Sequence, residues 1–283
     1  NSKIIELCNS KFKGDIHMII IGEKINTSIK AVRPAVEKMD TEAIQQLAKK
    51  QAEAGAHYID VNCGTFTSKE PELMEWLVKT VQDATDLPLC IDSPNPEALE
   101  AGLKSYSGKK PLINSVTAEK QRFESIIPLV TEYNTSIIGL CMDDSGMPED
   151  ADQRVKIADW LINNMTKRGI DISDIFIDPM VRPVSTGTHY GLVALETIRR
   201  VMEEFPGVHT TCGLSNVSFG LPARKLINQT FLITAIAAGL DSAILDPLDR
   251  KIMSFVYSAE LLINKDEFCM NYLAAYREGR LEA

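Results

Sequence analysis

The chain has 283 residues, with 30 Lys and Arg against 39 Asp and Glu and a net charge of −9. That acidic balance argues against a nucleic-acid partner, which needs clustered cations to neutralise phosphates. Hydrophobic residues form 45% of the chain, enough for a large core. Its apolar runs are strand-length and far short of the roughly 20 residues that span a bilayer.

Residues 1–17 read as an N-terminal extension or leader without the basic-then-apolar pattern of a signal peptide. Residues 18–283 read as one domain, and no low-complexity tract or linker divides them. Eight short apolar runs follow: 19–26 (IIIGEKIN), 58–64 (YIDVNCG), 87–93 (LPLCIDS), 111–116 (PLINSV), 136–144 (SIIGLCMDD), 175–181 (IFIDPMV), 209–216 (HTTCGLSN) and 242–249 (SAILDPLD). Their starts lie 24 to 39 residues apart, room for one helix and two loops each time. The intervening segments 41–55, 71–84, 96–104, 119–133, 151–168, 191–205, 222–238 and 251–263 read as helices. The first opens after Asp40 and stops at Gly55, and Pro71, Pro96 and Pro222 stand at helix starts, where a missing N–H costs nothing. A last amphipathic segment, 265–279, is expected on the outside or at a dimer contact. Eight βα units predict a single (β/α)8 TIM barrel, whose chemistry gathers where the strands finish.

Almost every run ends in a polar residue: Glu23, Asn26, Asp60, Asn62, Asp92, Asn114, Asp178 and Asn216. Asp92, Asn114 and Asp178 each follow large apolar residues directly, which places them near the barrel axis. Buried acids need partners, and a flat heterocycle with an amino group and ring N–H donors would supply them. The bland alternative is that these side chains cap helices or bond to one another. The long loops 24–40 and 179–190 are expected to shape the mouth. Asp143 to Gly146 reads as a turn, and His57 and His189 as structural. The six cysteines (8, 63, 90, 141, 212, 269) show no metal-ligand spacing. They read as reduced thiols of a cytoplasmic protein, and no metal site is expected.

The segments IIGEKIN, CIDSPNPEALEAGL, LINSVTAE, FIDPMV and CGLSNVSFGLPARKLINQTFL resemble the pterin-binding barrel of methyltetrahydrofolate:corrinoid methyltransferases. That group includes the folate module of cobalamin-dependent methionine synthase. The likeness runs from about residue 18 to 263, and GLSNVS is its most specific part. It implies that Asp92, Asn114 and Asp178 hold the pterin ring, with Gly213, Ser215 and Asn216 beside it. Asn216 would act on nitrogen-5, the atom that carries the methyl group, with Ser215 and Ser218 orienting it. Glu23, Asn26, Asp60, Asn62, Ser218 and Arg224 would line the pocket. Arg182, Arg224 and Lys225 would either meet the glutamate tail of folate or stay solvated.

The resemblance further implies tetrahydrofolate or methyltetrahydrofolate as substrate, cobalamin or a corrinoid supplied by a partner corrinoid protein, and a homodimer. The sequence leaves open the direction of transfer, the choice between tetrahydrofolate and tetrahydromethanopterin, and free cobalamin against a corrinoid protein. A dihydropteroate synthase-like enzyme is the nearest rival. It would need a Ser-Arg-Lys motif where Ser215-Asn216-Val217 stands, and an Arg-x-His pattern where Leu245-Asp246-Pro247 stands. A non-catalytic folate-binding scaffold is the second rival, and it would have no use for Asn216.

Overall fold

All eight expected runs form parallel strands: β1 (Ile19–Asn26), β2 (Tyr58–Asn62), β3 (Leu89–Asp92), β4 (Leu112–Thr117), β5 (Ser136–Leu140), β6 (Ile175–Asp178), β7 (His209–Thr210) and β8 (Ser242–Leu245). The computed structural model describes residues 17–282, so the expected leader, save for His17, lies outside the described residues. Hydrogen-bonded neighbours run in chain order, and β1 pairs with β8. β7 is only two residues long, because the rest of its run turns into a 3-10 helix, Leu214–Ser218. The barrel closes just past it: Gly213 bridges Ile244, and the Ile244 N–H donates to the Cys212 carbonyl at 2.9 Å.

Helices α1 (Arg33–Glu37), α2 (Thr41–Glu53), α3 (Glu70–Gln82), α4 (Pro96–Ser105), α5 (Lys120–Glu132), α6 (Ala151–Lys167), α7 (Tyr190–Glu204), α8 (Arg224–Ala237), α9 (Arg250–Leu262) and α10 (Met270–Arg277) surround the strands. Short polar side chains start several of them. The carboxylates of Asp40 and Asp150 accept from the Ala43 and Gln153 N–H groups at 3.1 and 2.8 Å, satisfying orphan donors. Pro96 opens α4, and Pro71 sits in the first turn of α3. Pro222 lies two residues before α8 instead of at its start, because Ala223 adopts φ +51° and turns the chain there. The expected helix 265–279 is likewise broken: Phe268 and Cys269 have positive φ, and the helix begins only at Met270.

Inside the barrel, Ile21, Cys90, Leu112, Ile138 and Phe176 form one buried cluster. Larger clusters fill the space between strands and helices. A Cβ on Gly102 would lie 3.0 Å from Met74 Cγ and 3.2 Å from Ile91 Cγ2, so only glycine lets α4 come this close to α3 and β3. The floor is closed by buried Glu260, which accepts the Met18 N–H at 2.6 Å. Near it, Asp241 accepts the Thr210 N–H at 2.8 Å and meets His209 at 2.7 Å. Cys63, Cys90, Cys141 and Cys212 are buried free thiols and Cys269 is exposed; Cys8 lies outside the described residues. Among the described residues no helix is long and apolar enough to cross a membrane.

Candidate functional site

Polar residues on the first four strands form one lateral row. Asn26 pairs in register with Asn62, Asn62 with Asp92, and Asp92 with Asn114. The side chains of the middle pair meet, the Asn62 amide donating to Asp92 Oδ2 at 2.8 Å. Asn62 Oδ1 accepts the Gly64 N–H and Asn26 Oδ1 the Ser28 N–H, so both asparagines also tie down the following loops. Two residues deeper, Asp60 is 1% exposed. Its Oδ1 has no partner among the described residues, while the Cys90 thiol donates to the carboxyl.

These acids are crowded and poorly hydrated, and burial is the leading cause of every upward shift among them. Asp92 is raised to about 6; Glu70 adds to the rise, while the Asn62 amide and the Arg122 guanidinium oppose it. Asp60 is held well above the usual carboxylate range by burial and then by Asp92. Glu23 on β1 is raised to about 7 by burial and then by Asp246, against Lys24 and Arg224. Lys24 itself pairs with Asp246 at 2.8 Å.

Asp178 ends β6, in register with Leu140. Burial raises it to about 7, opposed by the Met180 N–H, which donates to Oδ1 at 2.7 Å, and by Arg154. Arg154, 0% exposed, reaches this loop from α6 and donates to the carbonyls of Pro148, Pro179 and Met180 at 2.8–3.2 Å. Replacing it with Met strands three buried acceptors, each costing about 1–3 kcal/mol. Arg154→Met is therefore expected to lose about 3 kcal/mol or more of stability in urea unfolding; a loss under about 1 kcal/mol would show that the loop finds other donors.

Asn216 sits exposed in the 3-10 turn after β7. Arg224 braces that turn, donating to Ser218 Oγ at 3.0 Å and to the Ser215 carbonyl at 2.7 Å. A Cβ on Gly213 would stand 3.1 Å from Asn216 Nδ2, so glycine leaves the carboxamide its place. Asn114 and Asn216 make no side-chain hydrogen bond to another described residue, which leaves both carboxamides available to a ligand.

The expected residues therefore divide by place and role. The row, Asp60 and Glu23 lie on β1–β4, Asp178 ends β6 and Asn216 lies beyond β7; Glu23, Asp60 and Asn114 stand inside their strands, short of the ends. Ser215, Ser218 and Arg224 act on Asn216 through its backbone turn. Arg182 is engaged within the chain, paired with Glu149 at 2.6 Å and stacked 3.9 Å over Tyr190. Lys225 pairs with Asp249 at 2.9 Å. His57 accepts the Ile20 N–H, and Asp143–Gly146 is a closed turn, both as expected. Sequence reasoning passed over Glu70, Arg122 and Arg154. Glu70 is buried and accepts from Ser93 Oγ at 2.6 Å. Nothing in helical periodicity separates such residues from solvated charges. Among the described residues no cluster suited to a metal ion occurs.

The raised acids dictate opposite pH responses for folding and for binding. Unfolded, Asp92 and Asp178 titrate near 3.8 and Glu23 near 4.5; folded, they titrate at about 6, 7 and 7. The folded state holds more protons between these values, so this contribution to stability is present at low pH and is lost as pH rises toward about 7. A ligand offering N–H donors needs the ionised acids, so its binding weakens on acidification. From pH about 8 to about 6, the ligand-free melting temperature should rise while the increment given by a bound heterocycle with N–H donors shrinks. Scanning calorimetry with and without such a heterocycle reads both; an increment that grows with acid would contradict the ionised-acid arrangement.

The chain is similar to known proteins over most of its length. The profile of the family described as Pterin binding enzyme matches residues 23–246. The chain is 39% identical over 267 residues to methylcorrinoid:tetrahydrofolate methyltransferase of Eubacterium limosum, covering 93% of this chain and 98% of that protein. It is 35% identical over 247 residues to methionine synthase of Mycobacterium tuberculosis, covering 82% of this chain and 21% of that enzyme; it thus spans about a fifth of that relative. In structure it resembles dihydropteroate synthase of Xanthomonas albilineans with 4-aminobenzoic acid, with TM-score 0.68 and 20% identity over 89% of this chain and 94% of that one. At that identity the likeness concerns the fold alone.

Proposed function

The chain belongs to the pterin binding enzyme family, and from that premise we propose that it moves a methyl group between nitrogen-5 of tetrahydrofolate and the cobalt of a corrinoid protein or cobalamin. The name of the Eubacterium relative favours methylcorrinoid as donor and tetrahydrofolate as acceptor. The observation that carries the reading is the pairing of Asp92 and Asn114 on neighbouring strands, with Asp178 on β6 and Asn216 at the exposed edge.

In this reading Asp92 and Asp178 accept from the amino and ring N–H groups of the pterin, and Asn114 donates and accepts in the same plane. A carboxylate accepts two parallel bonds from such an edge, with the strength of charge-assisted pairs. The methyl group leaves cobalt without the bonding electron pair, which remains on the metal as Co(I). The lone pair of nitrogen-5 forms the new C–N bond, and its proton departs to solvent through the open mouth. Asn216 can accept from nitrogen-5 while it carries the proton and donate to it afterwards, because a carboxamide offers both functions. Arg224 and Ser218 brace its backbone turn, which sets the carboxamide dipole beside the atom whose charge changes. Gly213 and Ser215 shape its turn, and Glu23, Asn26, Asp60 and Asn62 line the deeper wall.

The corrinoid comes from a partner protein, and cobalt enters the chemistry as substrate. Leu262, Phe268 and Tyr276, exposed around α10, support a contact with a second copy, and the buried free thiols suit the reducing cytoplasm. Anaerobic calorimetry with tetrahydrofolate tests the pterin assignment. One-to-one binding, retained by the pterin fragment 6-methyltetrahydropterin, is expected; absence of binding by both would end the proposal.

A further inference from the structure

Arg122 stands in the first turn of α5, outside the row of candidate pterin contacts. Its guanidinium nonetheless reaches over the end of β3 and onto β4. Nη2 donates to the Ser93 carbonyl at 3.0 Å and to the Ser115 carbonyl at 2.7 Å, and Nη1 donates to the Pro94 carbonyl. Ser93 and Pro94 directly follow Asp92, and Ser115 directly follows Asn114. The strands are also joined there by the Ser93 N–H donating to the Asn114 carbonyl at 3.0 Å. One planar cation thus staples the two backbone segments that carry the neighbouring acid and carboxamide.

Two further observations set this arginine apart from a surface charge. It forms no ion pair with a carboxylate among the described residues, since all its bonds run to carbonyls. The acids that act on its charge are Glu119 and then Asp92, and Arg122 is among the groups that favour the ionised form of Asp92. We infer that Arg122 is a positioning residue: its guanidinium fixes the separation of the two backbone segments that carry Asp92 and Asn114. The inference rests on the pterin reading for its ligand, but the effect on Asp92 belongs to the free protein.

The groups that face Asp92 define what its titration must be compared against. From β2 come the Asn62 amide and the buried Asp60, from α3 Glu70, from α5 Arg122, and the thiols of Cys63 and Cys90 lie nearby. Of the groups with formal charge, Asp60 and Glu70 oppose ionisation, and Arg122 favours it. Removing the arginine therefore has an unambiguous sign: Asp92 should titrate higher, and the acid limb of ligand binding should move up with it. A purely structural role would weaken binding by the same factor at every pH.

The test uses the full chain in four forms: parent, Arg122→Met, Arg122→Lys and Arg122→Gln, the last keeping an amide donor without charge should the methionine variant fold poorly. Carboxyl-carbon NMR of aspartate-labelled protein follows Asp92 without ligand, and anaerobic calorimetry gives the tetrahydrofolate Kd between pH about 5.5 and 8. Either uncharged variant should raise the Asp92 titration by about half a pH unit or more. Each should weaken binding about tenfold near pH 7. Arg122→Lys should keep the parent titration yet bind a few-fold more weakly, because an ammonium cannot reproduce the planar fork. A parent-like Asp92 titration in the uncharged variants, or a parent-like Kd, overturns the inference. If the parent itself binds no tetrahydrofolate, the pterin reading fails instead, and the Asp92 titration still decides on Arg122.

Discussion

Replacing Asn216 with Ala should lower the rate of methyl transfer about 10²–10³-fold, the usual range for losing one preorganised donor at a centre of changing charge. The tetrahydrofolate Kd should change less than about threefold. The two effects arise at different places in the pocket. In the proposed arrangement the ring is held by Asp92, Asn114 and Asp178, whereas Asn216 sits exposed on a turn that other groups brace. Truncating it leaves the acids and their backbone untouched. The loss then falls on the transition state, which appears in kcat with little change in KM. Rapid-mixing kinetics under saturating tetrahydrofolate separate the chemical step from binding. A variant with unchanged rate, or one whose defect lies wholly in binding, would assign Asn216 to substrate capture.

The second large effect is expected at Asp178. Its change to Ala should weaken tetrahydrofolate binding by about 30-fold to several thousand-fold, the range for truncating one partner of a buried charged hydrogen-bonded pair. Asp178→Ala leaves the Met180 N–H without its acceptor, just as Asp92→Ala would the Asn62 amide. The same site should show a stability gain. Burial raises Asp178 to about 7, so near pH 8 the ligand-free protein holds an expensive buried carboxylate. Asp178→Asn removes that charge and should raise the ligand-free melting temperature at pH 8 while weakening binding. Calorimetry and thermal unfolding on one preparation check both signs. Weaker binding without any gain in stability would mean that the Met180 N–H and Arg154 fully compensate the charge.

The barrel was legible because its signal repeats: apolar runs at regular spacing, almost all closed by a polar residue, and several followed by a helix with a cap or proline. Asp92, Asn114 and Asp178 could be picked out because a polar group after buried aliphatic residues falls on a strand near the axis. β7 was harder to delimit, because HTTCGLSN reads as one run although only His209–Thr210 pairs as a strand. The remaining residues bend to present Asn216, and that bend depends on Arg224 and Ser218, which are distant from it in pattern. The break near Phe268 escaped notice because left-handed backbone at a non-glycine residue leaves no periodic trace. Arg122, Arg154 and Glu70 lay hidden for the same reason. A charged residue in a helix is ordinarily solvated, and only the tertiary path of the loops turns it toward carbonyls or another strand end.

The central claim, that this pocket exchanges methyl between a corrinoid and tetrahydrofolate, is met most directly by following a labelled methyl group. Carbon-13-methylated cob(III)alamin would be mixed anaerobically with tetrahydrofolate and the parent protein, with the carbon resonance and the cobalt absorbance recorded together. Transfer of the label to nitrogen-5, with stoichiometric appearance of Co(I) and dependence on Asn216, is the predicted result. A label that stays on cobalt while calorimetry shows tetrahydrofolate bound, and that still stays there with a methylated corrinoid protein as donor, would contradict it.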